Sequence, residues 1–232
     1  MITQDVPNSS LAIRQAGYPD SAFLAWCCFE ASSPAPGFSY WDPLLEGFNT
    51  PTHDFLQAVF LRDALAWGHC AEFILVEEAG KPIAAAAGFA MDQNDFRPFR
   101  LERLPAVAAE LGWNTAQLAQ FQQRYEAIWS DPRDQTLAPS GSWTIECVAV
   151  IPAARGRGVA RTLLQAILAR GRELGHQTAG IAVTIGNEPA RRLYESLGFQ
   201  LYLAYGPAYF AGAFPGTIKY RLPLGSDEPG QA

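Results

Sequence analysis

The chain has 232 residues, of which 49% are hydrophobic and 17% are charged, and its formal net charge is −6. This length and composition suit one large domain with ample material for a core. The acidic balance argues against a nucleic-acid-binding surface, and no run reaches the roughly 18 apolar residues that a membrane-spanning helix requires. We therefore expect a cytoplasmic protein without a nucleic-acid or membrane partner.

The four cysteines have neither the spacing of a disulfide framework nor that of a metal site. They are Cys27, Cys28, Cys70 and Cys147, and the three histidines are scattered among other segments. We predict that the cysteines are buried small apolar residues in a reducing compartment, and we predict no metal site.

The first ninety residues predict a strand, two helices and a strand hairpin. Pro19 and Asp20 open the first helix, and apolar residues from Thr52 to Trp67 recur at helical spacing. The run Ala84–Ala87 has weak strand propensity, but its hairpin context favours a strand. In chain order the predicted elements are a strand at 11–16, a helix from 19 to about 31, a helix at 52–67, and strands at 71–78 and 83–91.

Residues 92–140 differ from their surroundings because they are polar and contain two helical patterns, at about 101–111 and 115–130. They indicate a helical insertion between the hairpin and the next strand. No internal repeat is present, so we predict a single domain over residues 1–224, followed by a disordered tail at 225–232.

The remaining elements alternate between strands and helices. A β-branched strand leads into a glycine turn, and an apolar stripe on the following helix ends at Gly175. Asn187 begins another helix, and Gly198 is its predicted C-terminal cap. The predicted strands of this half lie at 143–150, 178–184, 199–205 and 217–222, the last two separated by a loop at 206–216.

The glycine turn at 155–158 is the most informative stretch of the chain. Its two glycines precede a helix, and a helix N-terminus presents unpaired backbone N–H groups that bind phosphate. A P-loop would require a Gly-Lys-Ser/Thr ending, which the turn lacks. A dinucleotide-binding turn would require a third glycine where Arg161 stands. The turn alone therefore indicates a phosphorylated ligand without naming it.

Two motifs in order make residues 143–200 resemble the GNAT superfamily of acyl-CoA-dependent N-acyltransferases. The first is the family's Arg/Gln-x-x-Gly-x-Gly/Ala turn, here Arg155-Gly156-Arg157-Gly158-Val159-Ala160. The second is an asparagine followed by a helical tyrosine and Leu-Gly-Phe, here Asn187, Tyr194 and Leu197-Gly198-Phe199. The resemblance implies an α/β (α+β) fold: a mixed, mostly antiparallel sheet of six or seven strands with helices on both faces.

The resemblance also implies acetyl-CoA as acyl donor and a set of residues that bind it. Backbone N–H groups of about 157–161 would hold the pyrophosphate, and the backbone of 146–150 would separate from its neighbouring strand and pair with the pantetheine arm. Val148 N–H would polarise the thioester carbonyl. The expected cofactor-binding residues are Val148, Val150, Arg155, Gly156, Arg157, Gly158, Val159, Ala160, Arg161 and Asn187.

Two side chains are the candidates for proton transfer. The resemblance places Tyr194 where a phenol can protonate the departing thiolate, and the alternative is a helical aromatic residue packed with Leu193 and Leu197. Glu146 precedes Val148 by two positions and could accept the proton of the attacking amine, although it could also be a plain strand glutamate. Asn187 could contact the cofactor, cap its helix, or do both.

We therefore hypothesise an N-acetyltransferase that acts on a primary amine of a small molecule. A non-catalytic acyl-CoA-binding or sensor module is one alternative, and a protein lysine or N-terminal acetyltransferase is another. The segments that could line the acceptor side are 38–49, the insertion 92–140 acting as a lid, and the loop 206–216. A homodimer is among the expected assemblies.

Overall fold

The computed structural model describes residues 11–34, 38–212 and 214–225. It contains one seven-stranded sheet in the order β1-β2-β3-β4-β5-β7-β6, in which only β4 and β5 run parallel. The strands are β1 (Leu11–Gln15), β2 (Phe73–Glu78), β3 (Lys81–Phe89), β4 (Trp143–Val150), β5 (Thr178–Thr184), β6 (Gln200–Tyr205) and β7 (Thr217–Pro223). The helices are α1 (Ser21–Ala31), α2 (Thr52–Leu61), α3 (Leu104–Glu110), α4 (Thr115–Ile128), α5 (Val159–Glu173) and α6 (Glu188–Ser196).

Helices cover both faces of the sheet, which confirms the expected fold class. One core lies between the sheet and the helices α1, α2, α3 and α4, and the other lies beneath α5 and α6. The alanine run of β3 serves both cores, because Ala85 and Ala87 face the first while Ala84 and Ala86 face the second. Small side chains let the helices on both faces approach this strand closely. Packing therefore overrides the weak strand propensity of the alanine run.

The glycine turn leads into α5 as predicted. Leu163, Leu164, Ile167 and Leu168 form the buried stripe of this helix. Gly175, at φ 81°, follows its end. None of the helices in the described part of the chain is long and apolar enough to cross a membrane.

The predicted helix at 52–67 is too long, because α2 ends at Leu61. Asp63 adopts the left-handed conformation at φ 50°, and Ala64 N–H donates back to Val59 O at 2.9 Å. This bonding satisfies the last carbonyls of the helix with an aspartate where glycine is usual. Ala64 is nevertheless buried, which explains why the apolar pattern continues beyond the helix.

The helices of the 92–140 segment pack into the first core. Phe121 of α4 is fully buried and lies 5.1 Å, between ring centroids, from Phe55 of α2. The Tyr125 hydroxyl donates to Phe99 O at 2.9 Å and accepts from Phe99 N–H at 3.0 Å. These contacts pack α3 and α4 into the first core, and α4 also reaches the 38–49 segment, because Arg124 Nη1 donates to Leu44 O at 3.1 Å and to Glu46 O at 2.6 Å.

The expected tail is described only at Gly225, and residues 226–232 lie outside the described residues. The cysteines are free and buried, as predicted.

Candidate functional site

The glycine turn forms an open nest of backbone N–H groups at the start of α5. Gly156 and Gly158 have φ values of 74° and 80°, and a β-carbon at either position would meet no atom within 4 Å. These glycines are therefore required by the left-handed backbone and not by crowding. Within the described chain, no carbonyl accepts from the N–H groups of residues 156–161. The positive end of the helix and these free donors fit a pyrophosphate.

The three arginines around this turn already have partners. Arg157 pairs with Glu78, with Nη1 to Oε2 at 3.1 Å. Arg155 donates to Val150 O at 3.0 Å and pairs with Glu30 at 3.2 Å, and Arg161 donates to Ser196 Oγ at 2.6 Å. All three arginines are exposed, and two of them are balanced by carboxylates. The backbone donors are therefore the stronger basis for anion binding here.

Strands β4 and β5 separate in the middle of the sheet. They pair only from Trp143 to Ile145, so the β5-facing edge of β4 has no strand partner from Glu146 onward. On its other edge β4 stays paired with β3, with an irregularity between Ala85 and Ala87. Cys147 lies at this irregularity with φ 55°. The bulge and the missing pairing leave the backbone at 146–150, including Val148 and Val150, free to bind an extended ligand.

Cys147 also contacts α1. Its sulfur lies 3.0 Å from that of Cys28, and both thiols are buried. The hydrogen bond with Cys28 and burial together raise the pKa of the Cys147 thiol. The Cys147 thiol therefore stays uncharged at neutral pH, and both residues pack beneath the bulge.

Glu146 lies where the two strands separate, and its charge acts on Tyr194 of α6. Tyr194 is buried in the second core, with its ring centroid 6.1 Å from those of Phe199 and Tyr220. Burial, and secondarily the charge of Glu146, raise the pKa of the Tyr194 phenol. The phenol therefore keeps its proton across the neutral range, as a proton donor must. The Tyr194 ring makes the packing contacts, whereas the proposed proton transfer uses the hydroxyl.

Glu146 lines a small cavity of about 40 Å³ together with Thr144, Ser140 and Lys219. Burial raises the pKa of Glu146 to about 7, and the Lys219 charge opposes that shift. Burial likewise lowers the pKa of Lys219 to about 8, opposed by the charges of Glu146 and Asp134. The Thr144 hydroxyl is buried and has no hydrogen-bond partner among the described residues. A carboxyl with a pKa near neutrality is well suited to accept a proton.

Asn187 is the N-cap of α6, and its side-chain oxygen accepts from Ala190 N–H at 3.2 Å. The capping interpretation is therefore correct. Two of the three segments expected on the acceptor side also meet: Tyr40 lies edge-on to Phe214, with 5.2 Å between ring centroids. Within the described residues, no group of three or more His, Cys, Asp or Glu side chains is arranged to hold a metal ion.

Sequence reasoning expected residues 92–140 on the acceptor side but missed Lys219, which contacts the end of that segment. Lys219 Nζ donates to Gln135 O at 2.8 Å and also to Ala138 O. Its position in β7 could have indicated Lys219, because side chains alternate along a strand and Lys219 therefore lies on the face opposite Ile218 and Tyr220. A lysine between two core positions indicates a buried charge when the opposite face is also covered.

The separated parallel strands and the open nest of backbone N–H groups before α5 fit an acyl-CoA-dependent acyltransferase. The chain belongs to the acetyltransferase (GNAT) family, whose model matches residues 39–199, and it is an acetyl-CoA-dependent N-acyltransferase. No curated protein sequence matches it significantly.

Solved structures share the fold at low sequence identity. An N-acetyltransferase from Staphylococcus aureus Mu50 is 19% identical, with a TM-score of 0.58 over 91% of this chain and 100% of that one. The ribosomal-protein-S18-alanine N-acetyltransferase from Escherichia coli is 16% identical, with a TM-score of 0.51 over 96% and 99% of the two chains. The Salmonella typhimurium protein yncA, solved with its cofactor acetyl-CoA, is 18% identical, with a TM-score of 0.52 over 96% and 99%.

Proposed function

We propose that this enzyme transfers the acetyl group of acetyl-CoA directly to a primary amine of a small molecule. The observation that carries the proposal is the position of Glu146 and Tyr194 where β4 leaves β5. The pyrophosphate binds the N–H groups of Gly156–Arg161, and the pantetheine arm pairs with the exposed edge of β4.

Glu146 accepts a proton from the incoming ammonium, directly or through one water, and the neutral amine attacks the thioester carbon. An alkylamine is mostly protonated at neutral pH because its pKa is about 10, so this deprotonation is required. Val148 N–H stabilises the oxyanion of the tetrahedral intermediate. The carbon–sulfur bond then breaks and Tyr194 donates its proton to the departing thiolate. The second proton of the attacking nitrogen is lost through water, which gives the neutral amide and restores the Tyr194 phenol.

The small-molecule acceptor is supported by the segment that covers the sheet beside Glu146. Residues Thr136–Ser140 line the cavity that Glu146 also lines. The aromatic pair Tyr40 and Phe214 provides a second wall at the far end of β5.

The test is release of free CoA thiol from acetyl-CoA in the presence of a panel of small amines and of lysine-containing peptides. We expect thiol release with at least one small amine, and a fall of about 10²-fold or more for Tyr194→Phe and for Glu146→Gln. Tyr202→Phe and Glu173→Gln, at exposed positions, are the matched controls. Full activity of Tyr194→Phe would refute its role as acid, and activity on peptides alone would refute the small-molecule acceptor. Tight acetyl-CoA binding without any turnover would favour the sensor function.

A further inference from the structure

Residues 135–140 form a strap that lies across β5 and is fastened to β7. Besides the two bonds from Lys219, Ser140 Oγ donates to Tyr220 O at 2.8 Å and Arg221 Nε donates to Ser140 O. Three consecutive residues of β7 therefore fix the strap. This segment follows α4 in the chain, so the insertion reaches the cavity of Glu146 only through it.

The strap touches the sheet at backbone distance because two glycines face each other. A β-carbon on Gly180 of β5 would lie 2.6 Å from Gly141 N, and one on Gly141 would lie 2.6 Å from Gly180 N. Neither glycine has a positive φ. These glycines therefore allow the two backbones to approach closely, and the strap forms a packed layer on the sheet.

Lys219 is a buried charge with a defined set of neighbours. Its side chain belongs to a residue that is only 4% exposed, and the chain has one other lysine, the exposed Lys81. Two of its three protons are bonded to strap carbonyls. The remaining charge is compensated by Glu146, which lines the same cavity, and by Asp134 at the start of the strap.

The groups that face Glu146 come from three elements. Lys219 approaches from β7 and favours the carboxylate form, whereas Cys147 on β4 and Tyr194 on α6 are neutral groups at physiological pH. Lys219 is thus the opposite charge that offsets the cost of ionising Glu146 in a desolvated site.

We propose that Lys219 is a positioning residue with two linked effects: it keeps Glu146 ionised and it fastens the strap over the acceptor side. The inference rests on the proposed role of Glu146 as general base. Lys219 donates to two strap carbonyls and lines the same cavity as Glu146, so displacement of the strap also changes the environment of the base.

The test compares Lys219→Met, Lys219→Gln and Ser140→Ala with the wild-type enzyme. Lys219→Gln removes the charge but keeps a donor for one strap carbonyl, whereas Ser140→Ala removes one strap bond and keeps the charge. In the pH profile of kcat/KM, we expect the acidic limb to move to higher pH in both Lys219 variants and to stay in place in Ser140→Ala. If the acidic limb moves by one pH unit, kcat/KM falls tenfold at a given pH on that limb, whereas its value on the alkaline plateau is unchanged.

A second readout does not depend on turnover. The thermal stability of each protein, with and without Lys219, is compared with that of the same protein carrying Glu146→Gln. This difference changes with pH as Glu146 ionises, and the midpoint of the change should move to higher pH in the proteins without Lys219. Hydrogen exchange of the amides at 135–140 should accelerate in Lys219→Met and less in Lys219→Gln. If hydrogen exchange at 135–140 accelerates but the pH midpoint of the stability difference does not move, Lys219 does not keep Glu146 ionised. If the midpoint moves but hydrogen exchange at 135–140 is unchanged, Lys219 does not fasten the strap. If no amine is acetylated by the wild type, the proposed function fails while this stability test still decides the role of Lys219.

Discussion

The contact between Gly180 and the strap should make Gly180→Ala strongly destabilising. The added β-carbon would lie 2.5 Å from Ser140 Oγ and 2.6 Å from Gly141 N. Ordinary contacts between such atoms are about 3.5–4.0 Å. The strap would have to move away by about 1 Å, and it cannot do so by side-chain rotation because one of the atoms in contact is backbone.

The loss of stability in Gly180→Ala is the sum of two contributions. Overpacking in a closely packed layer costs about 1–3 kcal/mol. Displacement of Ser140 also weakens its hydrogen bond to Tyr220 O, which adds about 1 kcal/mol. For a domain of this size each kcal/mol lowers Tm by about 2–4 °C, so the combined effect is a fall of roughly 5–15 °C.

Thermal denaturation followed by circular dichroism measures this change, and hydrogen exchange locates it. Gly206→Ala is the matched control because a β-carbon there meets no atom within 4 Å and no positive φ is involved. We expect exchange to increase at 135–141 in Gly180→Ala only. Equal melting temperatures for the two variants would refute the close contact between strap and β5.

Two further predictions concern the site itself. Since the pKa of Glu146 is raised to about 7 from an ordinary 4.5, the folded protein holds this proton more tightly than the unfolded chain, and stability should fall as pH rises through about 4.5 to 7. Glu146→Gln should remove this loss, about 3 kcal/mol by pH 8, and a wild-type-minus-variant difference independent of pH would contradict it. Gly158→Ala places a side chain at φ 80°, at a cost of about 1–2 kcal/mol, and should weaken CoA binding roughly tenfold by calorimetry. The Gly206→Ala variant should bind CoA as the wild type does, and equal affinity for Gly158→Ala would exclude a role for the turn geometry.

The sequence predicted the secondary structure of the candidate donor half well because those elements are local. The turn at 155–158, the helix after it and the capped helix after Asn187 each depend on residues close together in the chain. Apolar spacing predicted most elements for the same reason. It failed at the end of α2, where Asp63 takes a conformation that its residue type rarely signals.

The acceptor half was not predictable because its contacts join distant residues. Lys219 contacts carbonyls of Gln135 and Ala138, more than eighty residues earlier. Backbone carbonyls carry no residue-specific signal, so no motif could mark the strap. The arginines of the glycine turn illustrate the same limit, because the carboxylates that balance two of them, Glu78 and Glu30, lie far away in the chain.

The position of β7 in the sheet has a consequence for the order in which the protein is assembled during synthesis. This strand is inserted between β5 and β6 and is the last strand of the described chain. The glycine turn and α6 emerge from the ribosome before it, but residues 135–140 gain their hydrogen bonds to Lys219, Tyr220 and Arg221 only when β7 pairs with β5. The last strand therefore completes both the sheet and the acceptor side of the candidate site.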